Sequence, residues 1–353
     1  MGQALNIVFV STWGTHCGLA TYCLDLSNAL KALGHNIYVL SEAFDMFSTY
    51  NSPTDIQNFP CWSRRGSLET IYRVLKSSPV RPHIVHFNHE LGLFPKTEDF
   101  ITVSQRLADD GFKQVVTYHT VSPEYDFSRV AATPIVHTIG AALLCPRSII
   151  IPHGITFRRK DPTEILEAKK ALNLLPNKYT ALIPGFVVEN KRTLEIALSI
   201  LQNTDHNIII SGEIKDEHYG EWLLARLNAS GRQNRLKLDL IYADDKTRDT
   251  YFKAADYVVL GRKGPGFDNK GTPHSASGQM ATAIGYGLPI FAQYSQIHLD
   301  HDGAALLYFN EDELSKLLQG LNDNILRDMS NKCNLSRRDW KQVAEMYEVV
   351  YES

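Results

Sequence analysis

Short continuous apolar runs alternate with helical patterns along the whole chain, and this alternation restricts the fold more than any other feature. The series begins with NIVFVS at 6–11, a loop with two glycines, a helical pattern that ends near Gly34, and NIYVL at 36–40. Apolar runs of this length are typical of strands covered on both faces, as in a parallel sheet. The pattern begins again at residue 179. It predicts an α/β protein with two Rossmann-like, doubly wound domains that face a central cleft.

The chain length and a change in composition predict where these domains meet. A chain of 353 residues fits two domains better than one core. We place an N-terminal Rossmann-like domain at 1–157, a charged linker at 158–177, a C-terminal Rossmann-like domain at 178–335 and a last helix within 336–353. Within the first domain, residues 135–144 are predicted to form a helix.

Composition and cysteine usage are those of an ordinary globular protein. The chain is 44% hydrophobic and 21% charged, and its net charge of −3 gives no general argument for nucleic-acid or membrane binding. The five cysteines are scattered without a CxxC pair, so neither a disulfide framework nor a zinc site is indicated. No signal-peptide pattern, myristoylation motif or membrane-spanning run is recognised. We therefore expect a cytoplasmic protein.

The stretch GTPHSASGQMATAIGYGLPIFA at 271–292 predicts an anion site. Its small polar residues precede a helical pattern at 279–286, which places Ser275, Ser277 and Gly278 at a helix N-terminus. Free N–H groups and the helix dipole favour an anion there, and phosphate is the common one in α/β folds. The same pattern also fits a purely structural role, with Ser277 as N-cap and Gly287 as the residue after the helix.

Polar residues follow three predicted strands of the first domain. The strands at 83–87, 114–118 and 148–151 lead into 88–90 (Asn-His-Glu), 119–120 (His-Thr) and 153–154 (His-Gly). Since the carboxyl ends of parallel strands meet at one sheet edge, we expect a ligand site there. The loop with Gly14 and Gly18 lacks GxGxxG, so a nicotinamide cofactor is not supported. That loop either brings backbone amides to a ligand or is a tight turn.

Six segments, taken together, resemble the family 4 retaining glycosyltransferases. In chain order they are CGLATYCLDLSNALKALGH, HIVHFNHELGLFP, VVTYHT, IIIPHGI, YFKAADYVVL and SASGQMATAIGYGLPIFA. The resemblance implies the GT-B fold, with an acceptor-binding first domain, a donor-binding second domain and a last helix that crosses back to the first. It implies a hexosyl- or pentosyltransferase that uses a nucleotide diphosphate sugar as donor substrate, without a cofactor or a metal.

The resemblance also assigns roles to individual residues. His119 corresponds to the histidine beside the reacting sugar, and Gly185 and Lys191 correspond to the glycine and lysine at the donor diphosphate. We predict catalytic roles for His119, Lys191 and, conditionally, Glu90, whose carboxylate also fits a helix-entry role. The remaining expected donor contacts are Gly14, Gly18, Arg192, Arg262, Ser275, Ser277, Gly278 and Thr282, and the expected acceptor contacts are His16, His89 and Glu90.

Three positions depart from the family pattern. Phe186 stands where many members have an arginine after the diphosphate-loop glycine, so Lys191, Arg192 or Arg262 is expected to supply that charge. His274 and Thr282 stand where the family has two glutamates, which leaves the donor sugar open. Asp300-His301-Asp302 mimics a metal-binding DxD motif, but we interpret it as solvated surface.

Several functions remain open at this point. The leading hypothesis is transfer with retention of configuration to a glycan, with the donor's phosphate oxygen accepting the acceptor's proton. A modified base in DNA is an alternative acceptor, because basic runs at 158–160, 191–192 and 262–263, with Lys270, are able to meet phosphates. A non-catalytic GT-B protein that binds a nucleotide sugar is a second alternative, and an epimerase acting on a nucleotide N-acetylhexosamine is a third.

Overall fold

The computed structural model describes residues 3–43, 55–158, 160–262, 274–299, 303–335 and 338–353. The chain divides into two compact units. The first unit comprises Met1–Gly154, Asn269–Ala276 and Arg338–Ser353, and the second comprises Ile155–Asp268 and Ser277–Arg337. No described helix combines the length and the apolar character that crossing a membrane requires.

The first unit contains a seven-stranded parallel sheet with the strand order β3-β2-β1-β4-β5-β7-β8. A two-stranded antiparallel ribbon joins β6 to β13. The elements are β1 (Asn6–Ser11), α1 (Gly18–Ala32), β2 (Asn36–Glu42), β3 (Gln57–Trp62), α2 (Glu69–Ser77), β4 (Ile84–His89), α3 (Thr97–Asp109), β5 (Gln114–Tyr118), β6 (Thr120–Val121), β7 (Thr133–Val136), α4 (Ile139–Leu144), β8 (Ile149–Ile150), β13 (His274–Ser275) and α12 (Trp340–Glu352).

The second unit contains a six-stranded parallel sheet with the strand order β11-β10-β9-β12-β14-β15. The elements are α5 (Pro162–Ala171), β9 (Thr180–Pro184), α6 (Thr193–Asn203), β10 (Asn207–Ser211), α7 (Glu217–Ala229), β11 (Leu236–Asp239), α8 (Asp245–Ala254), β12 (Tyr257–Leu260), α9 (Gly278–Gly285), β14 (Ile290–Gln293), β15 (Ala305–Tyr308), α10 (Glu311–Gln319) and α11 (Asp323–Asn334).

Both sheets are covered by apolar side chains on their two faces, as the apolar runs predict. In β1, Val8 and Val10 belong to one core layer, whereas Ile7 and Phe9 belong to the layer that also contains α12 residues. In β9, Leu182 and Ile183 likewise belong to different layers. Successive side chains of a strand point to opposite faces, so a strand between two helical layers is apolar throughout. The prediction of two doubly wound units is confirmed.

The predicted helix at 135–144 is wrong in its first part. Ile135 and Val136 belong to β7, which pairs with β5 on one side and β8 on the other. The helix α4 starts only after Thr138, whose hydroxyl accepts a hydrogen bond from the Ala141 N–H at 3.1 Å. A short apolar run fits a buried strand and a helix equally well, and the N-cap threonine marks the true boundary.

The segment expected to be a linker at 158–177 lies in the second unit. It contains α5, which begins with a capping box between Asp161 and Glu164. The Lys169 ammonium, almost fully buried, lies 2.6 Å from the Asp256 carboxylate. Five elements besides β7, namely β3, β6, β13, β15 and α11, are absent from the sequence prediction.

Candidate functional site

The carboxyl ends of β5, β7 and β8 bring three histidines together in the first unit. We call His119, His137 and His153 the imidazole cluster. The Tyr22 ring on α1 contacts all three, with centroid distances of 4.5, 5.3 and 5.1 Å, respectively. The rings of His119 and His137 are 5.0 Å apart. The prediction that polar residues converge at this edge is confirmed, and His137 is a member that the sequence prediction missed.

All three histidines of the imidazole cluster are neutral at pH 7. Burial lowers the pKa of His119 well below 6.5, and the neighbouring histidines lower it further. Burial lowers the pKa of His137 to about 3 and that of His153 to about 4. A protonated imidazole in such surroundings would carry a charge that lacks water or a counter-charge. The cluster can therefore exchange hydrogen bonds with a ligand, but it does not offer positive charge.

A buried polar network that includes α12 side chains contacts Tyr22, which packs on the cluster. The Tyr347 hydroxyl lies 2.8 Å from the Tyr22 hydroxyl and 2.9 Å from Thr117 Oγ1. His86 Nε2 lies 2.8 Å from the same threonine hydroxyl. A Cβ placed on Gly154 would lie 2.4 Å from the Trp340 ring, so this tryptophan packs directly on the backbone beside His153. The last helix therefore fixes the positions of the cluster's neighbours.

His89 is not part of the imidazole cluster. Its side chain is 0% exposed, and its ring stacks on Phe94 with a centroid distance of 5.2 Å. Neither ring nitrogen has a hydrogen-bond partner among the described residues. Burial lowers the pKa of His89 to about 3. The prediction of an acceptor contact at His89 conflicts with this position, because no atom of the ring is exposed; the residue belongs to the aromatic core.

The other expected contacts of the first unit lie on loops. Gly14 has φ of +59°, a conformation that favours glycine. A Cβ on Gly18 would meet nothing within 4 Å, so packing does not require glycine there. His16 is exposed. The Glu90 carboxylate accepts a hydrogen bond from the Gly92 N–H, which fits the structural role weighed above.

The predicted phosphate loop is divided between the two units. Ser275 belongs to the first unit, where it pairs with Thr120, the residue after His119. The neighbouring His274 ring lies against Gly140, whose added Cβ would be 2.4 Å from the imidazole. Ser277 belongs to the second unit and caps α9, because its hydroxyl accepts a hydrogen bond from the Met280 N–H at 3.2 Å. Ser277 thus has the structural role that the N-cap alternative predicts.

In the second unit, glycines allow the loops after β9, β10 and β12 to meet closely at the start of α9. Gly185 has φ of +102°, and a Cβ there would lie 1.5 Å from Gln279 Nε2 and 2.6 Å from Lys191 Nζ. A Cβ on Gly212 would lie 2.1 Å from the Gly185 carbonyl oxygen, and one on Gly261 would lie 2.1 Å from the Lys191 carbonyl oxygen. The structure thus places Gly185, Lys191 and the first turn of α9 together, as predicted.

Lys191 is the central cation of this group. Its Nζ lies 3.4 Å from Gln279 Oε1 and 5.9 Å from the centroid of the Phe186 ring. Burial, with the positive charge of Arg262 as a second cause, lowers the pKa of Lys191 to about 8. These neighbours are an amide, an aromatic ring and a second cation, and none of them neutralises the ammonium. A bound anion would do so, and Gln279, in the first turn of α9, lies beside the same ammonium.

Arg192 and Thr282 are engaged elsewhere. The Arg192 guanidinium lies 2.9 Å from the Glu311 carboxylate. The Thr282 hydroxyl donates to the Gly278 carbonyl oxygen at 2.9 Å, within α9. Their expected donor contacts would require these partners to be given up. Arg262 remains better placed: its backbone N–H donates to Gln293 Oε1 at 3.1 Å, and its side chain is near enough to Lys191 to lower the pKa of that residue.

Two cations of the run at 158–160, one of the basic runs that motivated DNA binding, have partners within the protein. Arg158 lies 3.1 Å from the Asp249 carboxylate, and Lys160 donates to the Ala255 carbonyl oxygen at 2.9 Å. Both are therefore used within the second unit. The remaining residues of this argument, Arg159, Lys263 and Lys270, lie outside the described residues, as do Asp300, His301 and Asp302.

No group of three or more His, Cys, Asp or Glu side chains is arranged to hold a metal ion within the part of the chain that the structure describes. The absence of a metal requirement stays a prediction.

Comparison with known proteins identifies the fold. No family model and no curated protein matches the sequence. Among solved structures, HepE from Anabaena in complex with UDP and glucose is 14% identical over 99% of this chain and 100% of its own, with a TM-score of 0.75. A glycosyltransferase from Rickettsia africae is 13% identical over 99% of this chain and 98% of its own, with a TM-score of 0.73.

Sucrose-phosphate synthase from Thermosynechococcus elongatus is 16% identical over 98% of both chains, with a TM-score of 0.71. At these identities the likeness shows the fold and no more. The chain has the GT-B fold of nucleotide-sugar-dependent glycosyltransferases, as the resemblance implies.

Proposed function

We propose that this protein is a retaining, metal-independent glycosyltransferase of the family 4 type that moves a hexosyl or pentosyl group from a nucleotide diphosphate sugar to a hydroxyl group. The observation that carries the proposal is the group formed by Gly185, Lys191 and the first turn of α9. It combines a cation that has no anionic neighbour among the described residues, close backbone approach and a helix N-terminus, which together suit a diphosphate. HepE, which shares the fold, was solved with UDP-glucose.

The assigned roles follow from the charges of the residues. Negative charge grows on the diphosphate as the bond to the sugar breaks, and the Lys191 ammonium and the α9 N–H groups stabilise it. Arg262 supplies the second positive charge that Phe186 cannot. The acceptor oxygen forms its bond to the anomeric carbon on the face that the diphosphate leaves, and its proton passes to the departing phosphate oxygen. His119, which is neutral, orients a hydroxyl of the sugar.

A glycan is the acceptor we favour. The alternative of a modified DNA base loses support because Arg158 and Lys160 are engaged within the second unit. A non-catalytic nucleotide-sugar-binding protein remains the second candidate. It is favoured by the positions of the two missing glutamates: Thr282 donates to its own helix, and His274 packs against Gly140.

The test is a panel of nucleotide sugars without acceptor, in which nucleotide release is followed by mass spectrometry. Slow release from one donor, lost in both His119→Ala and Lys191→Ala, is the expected result. Lys246→Ala is the matched control, because Lys246 is an exposed lysine on α8 of the same unit. Binding of a nucleotide sugar without release, even after addition of glycans or DNA, would contradict the enzymatic proposal and leave the binding protein.

A further inference from the structure

Three contacts join two histidines of the imidazole cluster, His137 and His119, to each other and to their neighbours in the first unit. His137 Nδ1 lies 2.8 Å from the Ile151 carbonyl oxygen, and His137 Nε2 lies 3.3 Å from His119 Nδ1. On the far side of the second ring, His119 Nε2 lies 3.5 Å from Asn88 Oδ1. All four residues belong to the first unit. The chain of contacts therefore runs from a backbone carbonyl through two imidazoles to the Asn88 amide.

The carbonyl determines the tautomer of His137. A carbonyl oxygen only accepts, so the 2.8 Å contact requires a proton on His137 Nδ1. A neutral imidazole carries one ring proton, which leaves a lone pair on His137 Nε2. A second proton is unavailable at neutral pH, because burial and the neighbouring His153 lower the pKa of His137 to about 3.

The tautomer of His119 follows from that of His137. The lone pair on His137 Nε2 needs a donor, and the atom that faces it at 3.3 Å is His119 Nδ1. We infer that His137 fixes His119 as the Nδ1–H tautomer, so that His119 Nε2 can only accept a hydrogen bond and recognises a ligand group that donates one, such as a sugar hydroxyl. His137 is then a positioning residue that acts through His119.

The opposite arrangement fails on distance. In that arrangement His119 carries its proton on Nε2 and donates to Asn88 Oδ1 at 3.5 Å, the longest of the three contacts. His137 would then carry its proton on Nε2, and the lone pair of its Nδ1 would face the Ile151 carbonyl oxygen at 2.8 Å. The Asn88 amide adapts to the favoured arrangement by a half-turn, because its nitrogen already lies 3.4 Å from a hydroxyl, that of Ser11, which is able to donate as well as accept.

The chemical consequence rests on the proposed function, whereas the tautomer itself does not. If the chain transfers a sugar, a hydroxyl of that sugar replaces the Asn88 amide as the donor to His119 Nε2, and a substituent that only accepts is rejected at this point. The tautomer is present in the protein without any substrate, so it can be measured independently of turnover.

The experiment is long-range ¹H–¹⁵N NMR of the full chain with ¹⁵N-labelled histidine at pH 7.5, without substrate. Loss of one spin system in His119→Ala assigns its resonances. We expect His119 to show a protonated Nδ1 and an unprotonated Nε2. In His137→Phe, which keeps the ring but removes both nitrogens, we expect His119 to gain a population with protonated Nε2. His218→Ala, an exposed histidine of the second unit, should leave the His119 signals unchanged.

A protonated Nε2 on His119 in the wild type would overturn the inference, and this result needs no variant to fold. An Nδ1–H tautomer that persists unchanged in His137→Phe would overturn the part assigned to His137. Absence of glycosyl transfer would contradict the proposed function but would leave both NMR expectations in force.

Discussion

Affinity for a nucleoside diphosphate is expected to fall as pH rises, because Lys191 must be protonated to bind it. Burial, with Arg262 as a second cause, lowers the pKa of Lys191 from 10.5 to about 8 in the empty site. This shift corresponds to roughly 3 kcal/mol by which the site disfavours the ammonium form. A diphosphate reverses that preference, since a nearby anion stabilises the charged lysine. Binding above pH 8 therefore requires uptake of a proton.

The size of the effect follows from this linkage. If the lysine is fully protonated in the complex, the dissociation constant rises about eightfold between pH 7.5 and pH 9. The phosphates of the ligand are already ionised over this range, so they add little to the change. Titration calorimetry with UDP, or with the nucleotide that the donor panel identifies, gives the affinity. Repeating it in buffers of different ionisation enthalpy counts the protons taken up.

Two substitutions test whether the pH dependence of binding comes from Lys191 or from another titrating group. Lys191→Arg keeps a charge that does not titrate in this range, so its affinity should be independent of pH. Lys191→Met should bind more weakly than the wild type at pH 7.5, by about 1.5 to 3 kcal/mol for the loss of a charge-assisted hydrogen bond, and should also show a flat profile. A flat profile in the wild type between pH 7.5 and 9 would refute the reasoning.

The remaining predictions concern both units. His89→Phe should leave turnover intact and raise the free energy of unfolding by about 1 kcal/mol, because it removes two buried nitrogens that have no hydrogen-bond partner among the described residues; loss of turnover with normal stability would restore a role in acceptor binding. Gly185→Ala should abolish nucleotide binding in calorimetry, since its Cβ would lie 1.5 Å from a side-chain amide nitrogen on α9, whereas Gly18→Ala, with nothing within 4 Å, should keep wild-type stability; normal binding by the Gly185 variant would contradict the loop geometry. Acid should unfold the first unit, because His86 and His137 have pKa values of about 3 when folded, against 6.5 when free. The unfolded chain binds more protons below pH 6.5, so stability is complete above that pH and is lost as pH falls towards 3; circular dichroism that stays constant from pH 7 to 4 would contradict this.

The sequence was sufficient for the architecture because the sheets are covered on both faces. Apolar runs such as NIVFVS are short and uninterrupted, which few structures other than a buried parallel strand produce. The same reading of apolar runs was wrong at 135–144, because the apolar run of β7 continues into α4 and only Thr138 marks the boundary. β3 escaped prediction because four of its six residues are exposed and one of them is Pro60.

Site residues were predictable where the backbone itself demands them. Gly185 needs a positive φ and close approach, and the family resemblance assigned both Gly185 and Lys191, which lies six residues later. His137 was missed because it follows a strand that was taken for a helix. The burial of His89 and the pairing of Arg192 with Glu311, a residue far along the chain, depend on tertiary packing that no local pattern records.

The most direct test of the central claim is the configuration of the first sugar product. With the donor identified by nucleotide release, time-resolved ¹H NMR of the anomeric proton shows whether the sugar leaves with the configuration it had in the donor. The account predicts that the first product, glycoside or free sugar, has the anomeric configuration of the donor. An inverted first product would contradict the retaining mechanism. An isomerised nucleotide sugar, or a donor that is bound and never consumed, would contradict glycosyl transfer itself.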